Sequence, residues 1–293
     1  MERFDAVVVG AGPAGSATAI RLACAGARVL LADRARFPRD KPCGGGLTGR
    51  AVRELPVDVT PVVEDVVRSF EVRLGYRKRF ERRSEAPLVL MTQRRRLDAF
   101  LTEQAAAAGA VFRDGVTVEG LTVGPDGASL RVGGSAVHGR VVVGADGVNG
   151  RIARDTGLGG GILYGIALEG NGPLPDGQAG RATVELGVVP GGYGWIFPKA
   201  GHANYGVGGW AAEAILDGEL ERYENELHAA LGRFAATSWK AKLVLDRHPR
   251  AAFEIARIPA VWRVIVGLLS GDVAHPSDAG GLARPPLRLL ARL

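Results

Sequence analysis

Residues 4–15, FDAVVVGAGPAG, decide the fold. The β-branched run from Phe4 to Gly10 reads as a buried strand, and residues 13–25 are small helix formers stopped by Gly26. A second apolar strand, Ala27 to Ala32, follows. Strand, glycine turn, helix and strand make a βαβ unit, which demands a parallel sheet with a right-handed crossover. Gly10 permits the tight turn, Gly12 lets the backbone approach a diphosphate, and Gly15 lets the helix pack closely on the strand. Pro13 and Ala14 open the helix, where a missing N–H costs nothing and the helix dipole faces phosphate oxygens. Asp33 ends the second strand 18 residues after Gly15, where a carboxylate accepts hydrogen bonds from ribose hydroxyls. Its charge disfavours a 2′-phosphate, so FAD or NAD is preferred to NADP, a preference softened by Arg34 and Arg36.

A second apolar strand with a glycine turn lies midway, VVVGADG, Val141 to Gly147. Loops at the carboxyl ends of parallel strands share one crevice, so Asp146 and Gly147 can hold a different part of the same long ligand as the GAGPAG turn. The competing reading is that Asp146 caps a helix from Val148 to Thr156.

Composition sets the outer bounds. The chain has 293 residues, 46% hydrophobic and 23% charged, which excludes disorder and gives one large or two intertwined domains. The two cysteines, Cys24 and Cys43, are too few for a disulfide framework, and no signal peptide precedes the first strand, so a cytoplasmic location is expected. The longest apolar runs, such as Val264 to Leu269, fall short of the roughly 18 residues a spanning helix needs. Of the 37 basic residues behind the net charge of +6, 32 are arginines scattered along the chain. The clusters at Arg77 to Arg83 and Arg94 to Arg96 lack interleaved aromatics, so nucleic acid is not expected as a partner. No zinc pattern accompanies them, and no metal is expected. A cationic face does suit anionic headgroups, and peripheral membrane contact would matter for a membrane-dissolved substrate.

Residues 35–50 form a Pro/Gly loop, and residues 66–92 are extended, arginine-rich and partly alternating, as in antiparallel strands with one wet face. Arg96 to Gly109 reads as a helix, followed by three or four short strands, the last returning to the first sheet. Gly161 to Trp210 is strand-like again, and beyond it Ile215, Leu216, Leu220, Tyr223, Leu227 and Leu231 recur at helical spacing. The expected architecture is α/β: a Rossmann-like FAD-binding parallel sheet with an interleaved antiparallel β substrate layer and a C-terminal helical segment. The expected division assigns 1–50 and 94–160 to the FAD-binding domain, 51–93 and 161–210 to the substrate sheet, and 211–293 to the helical region.

The pairing of GAGPAG with GADG, and the arginine before Leu97-Asp98 in RRRLD, resemble the FAD-dependent hydroxylase and reductase superfamily with the flavin fold of p-hydroxybenzoate hydroxylase. FPRDKPCGGGLT, Phe37 to Thr48, and GGYGWIFPK, Gly191 to Lys199, resemble the geranylgeranyl reductase family within it. That resemblance implies an oxidoreductase that saturates isolated double bonds of a prenyl lipid, quinone or pigment precursor. It implies FAD as cofactor and NADPH, ferredoxin or a flavin reductase as electron donor. It places Gly10, Gly12 and Gly15 on the FAD diphosphate, Asp33 on the adenosine ribose and Arg94 on the phosphates, with Arg95 or Arg96 as substitutes. It sets Cys43, Gly44, Gly45 and Gly46 beside the isoalloxazine, with Cys43 or a bound water as the candidate proton source. Tyr193, Trp195, Phe197 and Pro198 match its YxWxFP signature on the substrate-facing sheet, or else fill a packed sheet core. An aromatic monooxygenase or halogenase on the same fold is the rival enzyme.

One departure stands out. The family carries, after the substrate sheet, a strand ending in a Gly-Asp turn that lines the flavin. Here GHANYGVGGW, Gly201 to Trp210, runs straight into the helical segment, which reads as an internal deletion near Trp210. The other reading takes GLLSGDVAHPSDAGGL, Gly267 to Leu282, as that motif, with Gly271 and Asp272 in the flavin role, but its order in the chain is wrong. A deletion of this kind also admits a catalytically impaired remnant.

Overall fold

The computed structural model describes residues 1–158, 165–189, 191–210, 247–273, 281–283 and 285. The chain runs β1 (Glu2–Val9), α1 (Pro13–Cys24), β2 (Val29–Ala32), β3 (Gly46–Thr48), α2 (Gly49–Glu54), β4 (Asp65–Val67), β5 (Ser69–Leu74), β6 (Lys78–Arg83) and β7 (Val89–Met91). It continues with α3 (Arg94–Ala107), β8 (Val111–Arg113), β9 (Val118–Gly124), β10 (Gly127–Val132), β11 (Ser135–Gly144) and α4 (Ile152–Asp155). Then come β12 (Gly165–Pro173), β13 (Arg181–Leu186), β14 (Gly192–Pro198), β15 (His202–Trp210), α5 (Pro249–Ala256) and α6 (Pro259–Ser270). These form two compact units, Met1–Cys43 with Arg53–Val62 and Gln93–Ile162, and Gly44–Val52 with Val63–Thr92 and Leu163–Leu293.

The first unit is built on a six-stranded sheet of order β8-β2-β1-β11-β10-β9. The four strands β8, β2, β1 and β11 are parallel, and β9 and β10 extend the sheet as an antiparallel meander. Strand β2 and the Ala6–Val9 end of β1 are buried on both faces, which is why these stretches are unbroken apolar runs rather than alternations. On one side Val8, Val29 and Leu31 meet Ala19 and Ile20 of α1 and Ala105 of α3. On the other, Val7, Val9, Leu30 and Ala32 cluster with Leu130 and Val132 of β10 and Val137 of β11. Each fully buried Leu or Val here contributes about 1.5–3 kcal/mol by leaving water. The helix expected at 96–109 runs from Arg94, two residues earlier, because the extended Gln93 serves as its N-cap.

The second unit carries a six-stranded sheet of order β12-β15-β14-β13-β5-β6 and a small sheet β3-β7-β4. The expectation of an antiparallel layer needs one correction: β5 and β13 pair in parallel, with Ala182 opposite Phe70. Hairpin connections make antiparallel neighbours within residues 69–83 and within 181–210, but the two segments are joined through an intervening domain, which leaves their relative direction free. Helices α5 and α6 cover one face of this sheet, where Phe253 meets Phe80 edge-on at 5.1 Å and Trp262 meets Phe70 at 6.3 Å. The helical segment read over residues 211–246, with the tyrosine-bearing stripe, lies outside the described residues. Among the described residues no helix is long and apolar enough to cross a membrane.

Candidate functional site

Strand register assembles the site. Val9 stands beside Ala32 on one side and Gly144 on the other, so Gly10, Asp33 and Ala145 leave the sheet at the same end. Gly10 takes φ +101°, and a β-carbon there would stand 2.4 Å from the Ala145 carbonyl oxygen. A β-carbon at Gly15 would stand 1.8 Å from the Gly10 carbonyl oxygen, so α1 reaches the strand only because both are glycine. Gly12 is different: its β-carbon would meet Arg94 Nη2 at an ordinary 3.5 Å, so its open side belongs to the crevice.

That crevice is a cavity of about 640 Å³ within the first unit, a size that suits a cofactor. Gly10, Gly12, Pro13, Ala14, Asp33, Arg34, Arg94, Asp146 and Gly147 all line it, so the amino-terminal glycine turn and the GADG turn open on one groove. Gly15 lies beneath it as a packing residue. Asp33 accepts from the Ala11 N–H at 2.7 Å through Oδ2 and from the Ala35 N–H at 2.9 Å through Oδ1. A carboxylate offers about four lone-pair sites, so these two bonds aim it and leave acceptor capacity for hydroxyls. Asp146 does cap a helix: its Oδ2 accepts from the N–H groups of Arg151 and Ile152, at 2.5 and 3.2 Å. The capped helix is only α4, shorter than the 148–156 span read from the sequence.

The cavity wall carries six basic residues, Arg34, Arg39, Lys41, Arg94, Arg151 and Arg154, against the three acids Asp33, Asp40 and Asp146. Arg94 donates two hydrogen bonds to buried Asp98, at 2.8 and 2.7 Å. Burial works against its charge, but the bonds and charge of Asp98, reinforced by Cys43, outweigh it and hold the guanidinium proton more tightly than usual. Arg39 shares the same carboxylate at 2.9 Å, and its Nη1 is buried with no acceptor among the described residues. A cofactor-sized cavity whose wall carries this excess of cations fits a diphosphate-bearing cofactor. Sequence reading missed Arg39; the signal was the charge of FPRDK, which has no local partner to explain it.

The second unit brings together the other two motifs. Cys43, the last residue of the first unit, is exposed and hydrogen-bonds Arg94. Gly44 and Gly45 belong to the second unit, where a β-carbon on Gly44 would stand 2.7 Å from the Phe197 ring. Lys199, almost wholly buried, donates to the carbonyls of Gly44 at 2.7 Å and Thr92 at 2.6 Å, and Thr92 N–H donates to the Gly45 carbonyl at 2.8 Å. Tyr193, Trp195 and Phe197 follow each other on one face of β14, with Trp195 and Phe197 stacked at 6.0 Å. Trp195 is buried and donates to Asn204 Oδ1 at 2.8 Å, while Tyr193 is exposed. Pro198 closes the strand. Gly271 is the left-handed C-cap of α6, and Asp272 lies exposed beside Ser270.

A family model described as FAD binding domain matches residues 3–161, more than half of the chain. The chain belongs to the FAD-binding domain family. This flavoprotein is 36% identical over 227 residues to menaquinone reductase of Mycolicibacterium smegmatis, covering 71% of its own length and 56% of the relative. It is 34% identical over 220 residues to digeranylgeranylglycerophospholipid reductase 1 of Methanopyrus kandleri, covering 70% and 57%. A geranylgeranyl bacteriochlorophyll reductase-like protein of Thermoplasma acidophilum matches its structure with a TM-score of 0.65 and 26% identity, over 79% of the flavoprotein and 63% of that chain. The flavoprotein spans about half the length of the curated relatives it matches. Its cofactor is FAD.

Proposed function

We propose that the flavoprotein is an FAD-dependent reductase that saturates isolated C=C bonds of a prenyl chain on a lipid, quinone or pigment precursor, drawing electrons from NADPH, ferredoxin or a flavin reductase. The observation that supports it best is the single cationic groove shared by the GAGPAG turn, Asp33, Arg94 and the GADG turn, in a chain whose relatives are named as reductases of quinones and prenyl lipids. In this reading Gly10, Gly12 and the first turn of α1 hold the FAD diphosphate, Asp33 takes the adenosine ribose, and Arg94 faces the phosphates. Tyr193, Trp195, Phe197 and Pro198 belong to the substrate sheet.

The chemistry that reduced FAD would supply when held by these residues is hydride donation to one alkene carbon. The protein's own work is binding, orientation and exclusion of water, because an unactivated alkene develops no oxyanion for a donor to stabilise. A proton must reach the other carbon, and Cys43, held through Arg94, is the candidate source. The test is anaerobic incubation of FAD-reconstituted protein, reduced with dithionite, with menaquinone or digeranylgeranylglycerophospholipid, followed by reoxidation of any quinol in air before the mass is read. A product heavier by two hydrogens per saturated bond supports the reading; bound FAD that dithionite reduces with no mass change in either substrate overturns it. A Cys43→Ser variant with undiminished rate removes the thiol from the mechanism.

A further inference from the structure

Asp98 has no exposed side-chain surface, yet two arginines converge on it: Arg94 donates through Nε to Oδ1 and through Nη2 to Oδ2, and Arg39 Nη2 forms an ion pair with Oδ2 at 2.9 Å. The bidentate pair fixes the plane of the Arg94 guanidinium. Arg39 is fixed a second time, by the Phe37 ring 4.9 Å beneath it. Two cations share one buried anion, so the cluster keeps a net positive charge, and both arginines line the cavity beside Gly12. Arg94 spends Nε and Nη2 on Asp98, while Arg39 retains a buried Nη1 that no described residue satisfies.

We propose that Asp98 is a positioning residue for the diphosphate subsite, clamping Arg94 and Arg39 side by side so that both guanidiniums stand at the cavity wall toward the phosphates of the bound dinucleotide. The inference rests on the FAD reading and deepens it. Without the carboxylate the two guanidiniums repel each other and turn toward solvent, and the groove loses its organised charge while the glycine turn stays in place.

The experiment compares wild type, Asp98→Asn and Arg39→Gln for FAD by flavin fluorescence, and for ADP and adenosine by displacement of FAD. The expected result is at least tenfold weaker FAD and ADP binding in both variants, with adenosine affinity within twofold of wild type. Arg39→Gln carries the test if Asp98→Asn does not fold, since Asp98 then keeps Arg94. Unchanged ADP binding by folded Arg39→Gln overturns the proposal, as does equal weakening of ADP and adenosine, which marks a merely structural role. Wild-type protein that binds ADP but never FAD sinks the flavin reading and leaves the positioning role of Asp98 testable through ADP.

Discussion

The indole of Trp195 lies directly on the backbone of Gly206: a β-carbon at Gly206 would stand 2.0 Å from Trp195 Cζ2. The two are cross-strand partners on β14 and β15, so the ring covers the neighbouring strand instead of standing up from it. Gly206→Ala therefore evicts a rigid, hydrogen-bonded ring. The expected cost is about 1–3 kcal/mol, the usual price of overpacking. Urea unfolding followed by tryptophan fluorescence checks it, and adding Trp195→Phe should recover part of the loss. An unchanged midpoint in Gly206→Ala would show that the ring is not seated there.

Gly10→Ala should abolish FAD retention, because the new methyl meets the Ala145 carbonyl and forces the two ligand-facing turns apart. Gly26→Ala is the comparison: it also has a positive φ, +84°, but nothing within 4 Å of its β-carbon. That variant should bear only backbone strain, about 1–2 kcal/mol, and keep its flavin. Flavin content after gel filtration separates them.

Lys199→Met removes the shared donor of the Gly44 and Thr92 carbonyls. Each hydrogen bond to the charged ammonium contributes about 1.5–3 kcal/mol. The loss should fall on the glycine turn and on β7, so hydrogen exchange over residues 43–48 and 89–92 should accelerate more than over β1. Uniform acceleration across the chain would contradict this local role.

Glu81 gives a pH dependence with a definite sign. The Ser69 hydroxyl donates to its Oε1 at 2.5 Å, and this bond, against the opposing effect of burial and with help from Arg83 and Arg181, holds its carboxyl below the ordinary glutamate value of 4.5. A group whose pKa is depressed by folding contributes stability above its unfolded value and loses it as pH falls through the folded one. The melting temperature of wild type should exceed that of Ser69→Ala by more at pH 6 than at pH 3. A constant difference would place the Ser69 effect outside titration of Glu81.

The local features were legible in residue order. Strands buried on both faces must be apolar throughout, a turn at φ +101° must be glycine, and an acid one residue past β2 must emerge where β1 ends, so FDAVVVGAGPAG, Asp33 and VVVGADG named the groove and its ligand class. The aromatic strand was legible as a motif, but the seating of Trp195 on Gly206 of the neighbouring strand was not.

What only the tertiary structure decided are the contacts between residues remote in sequence. Lys199 reaches Gly44 across 155 residues and Thr92 across 107, and Arg39, in the loop after β2, meets Asp98 of α3. The parallel pairing of β5 with β13 joins segments separated by most of the first unit. Periodicity and turn chemistry act over a few residues, through sterics and backbone hydrogen bonds, and so they are written in the local sequence. Which buried charge meets which is set by where chain segments come to rest, and a lone arginine in FPRDK carries no mark of the carboxylate that will hold it.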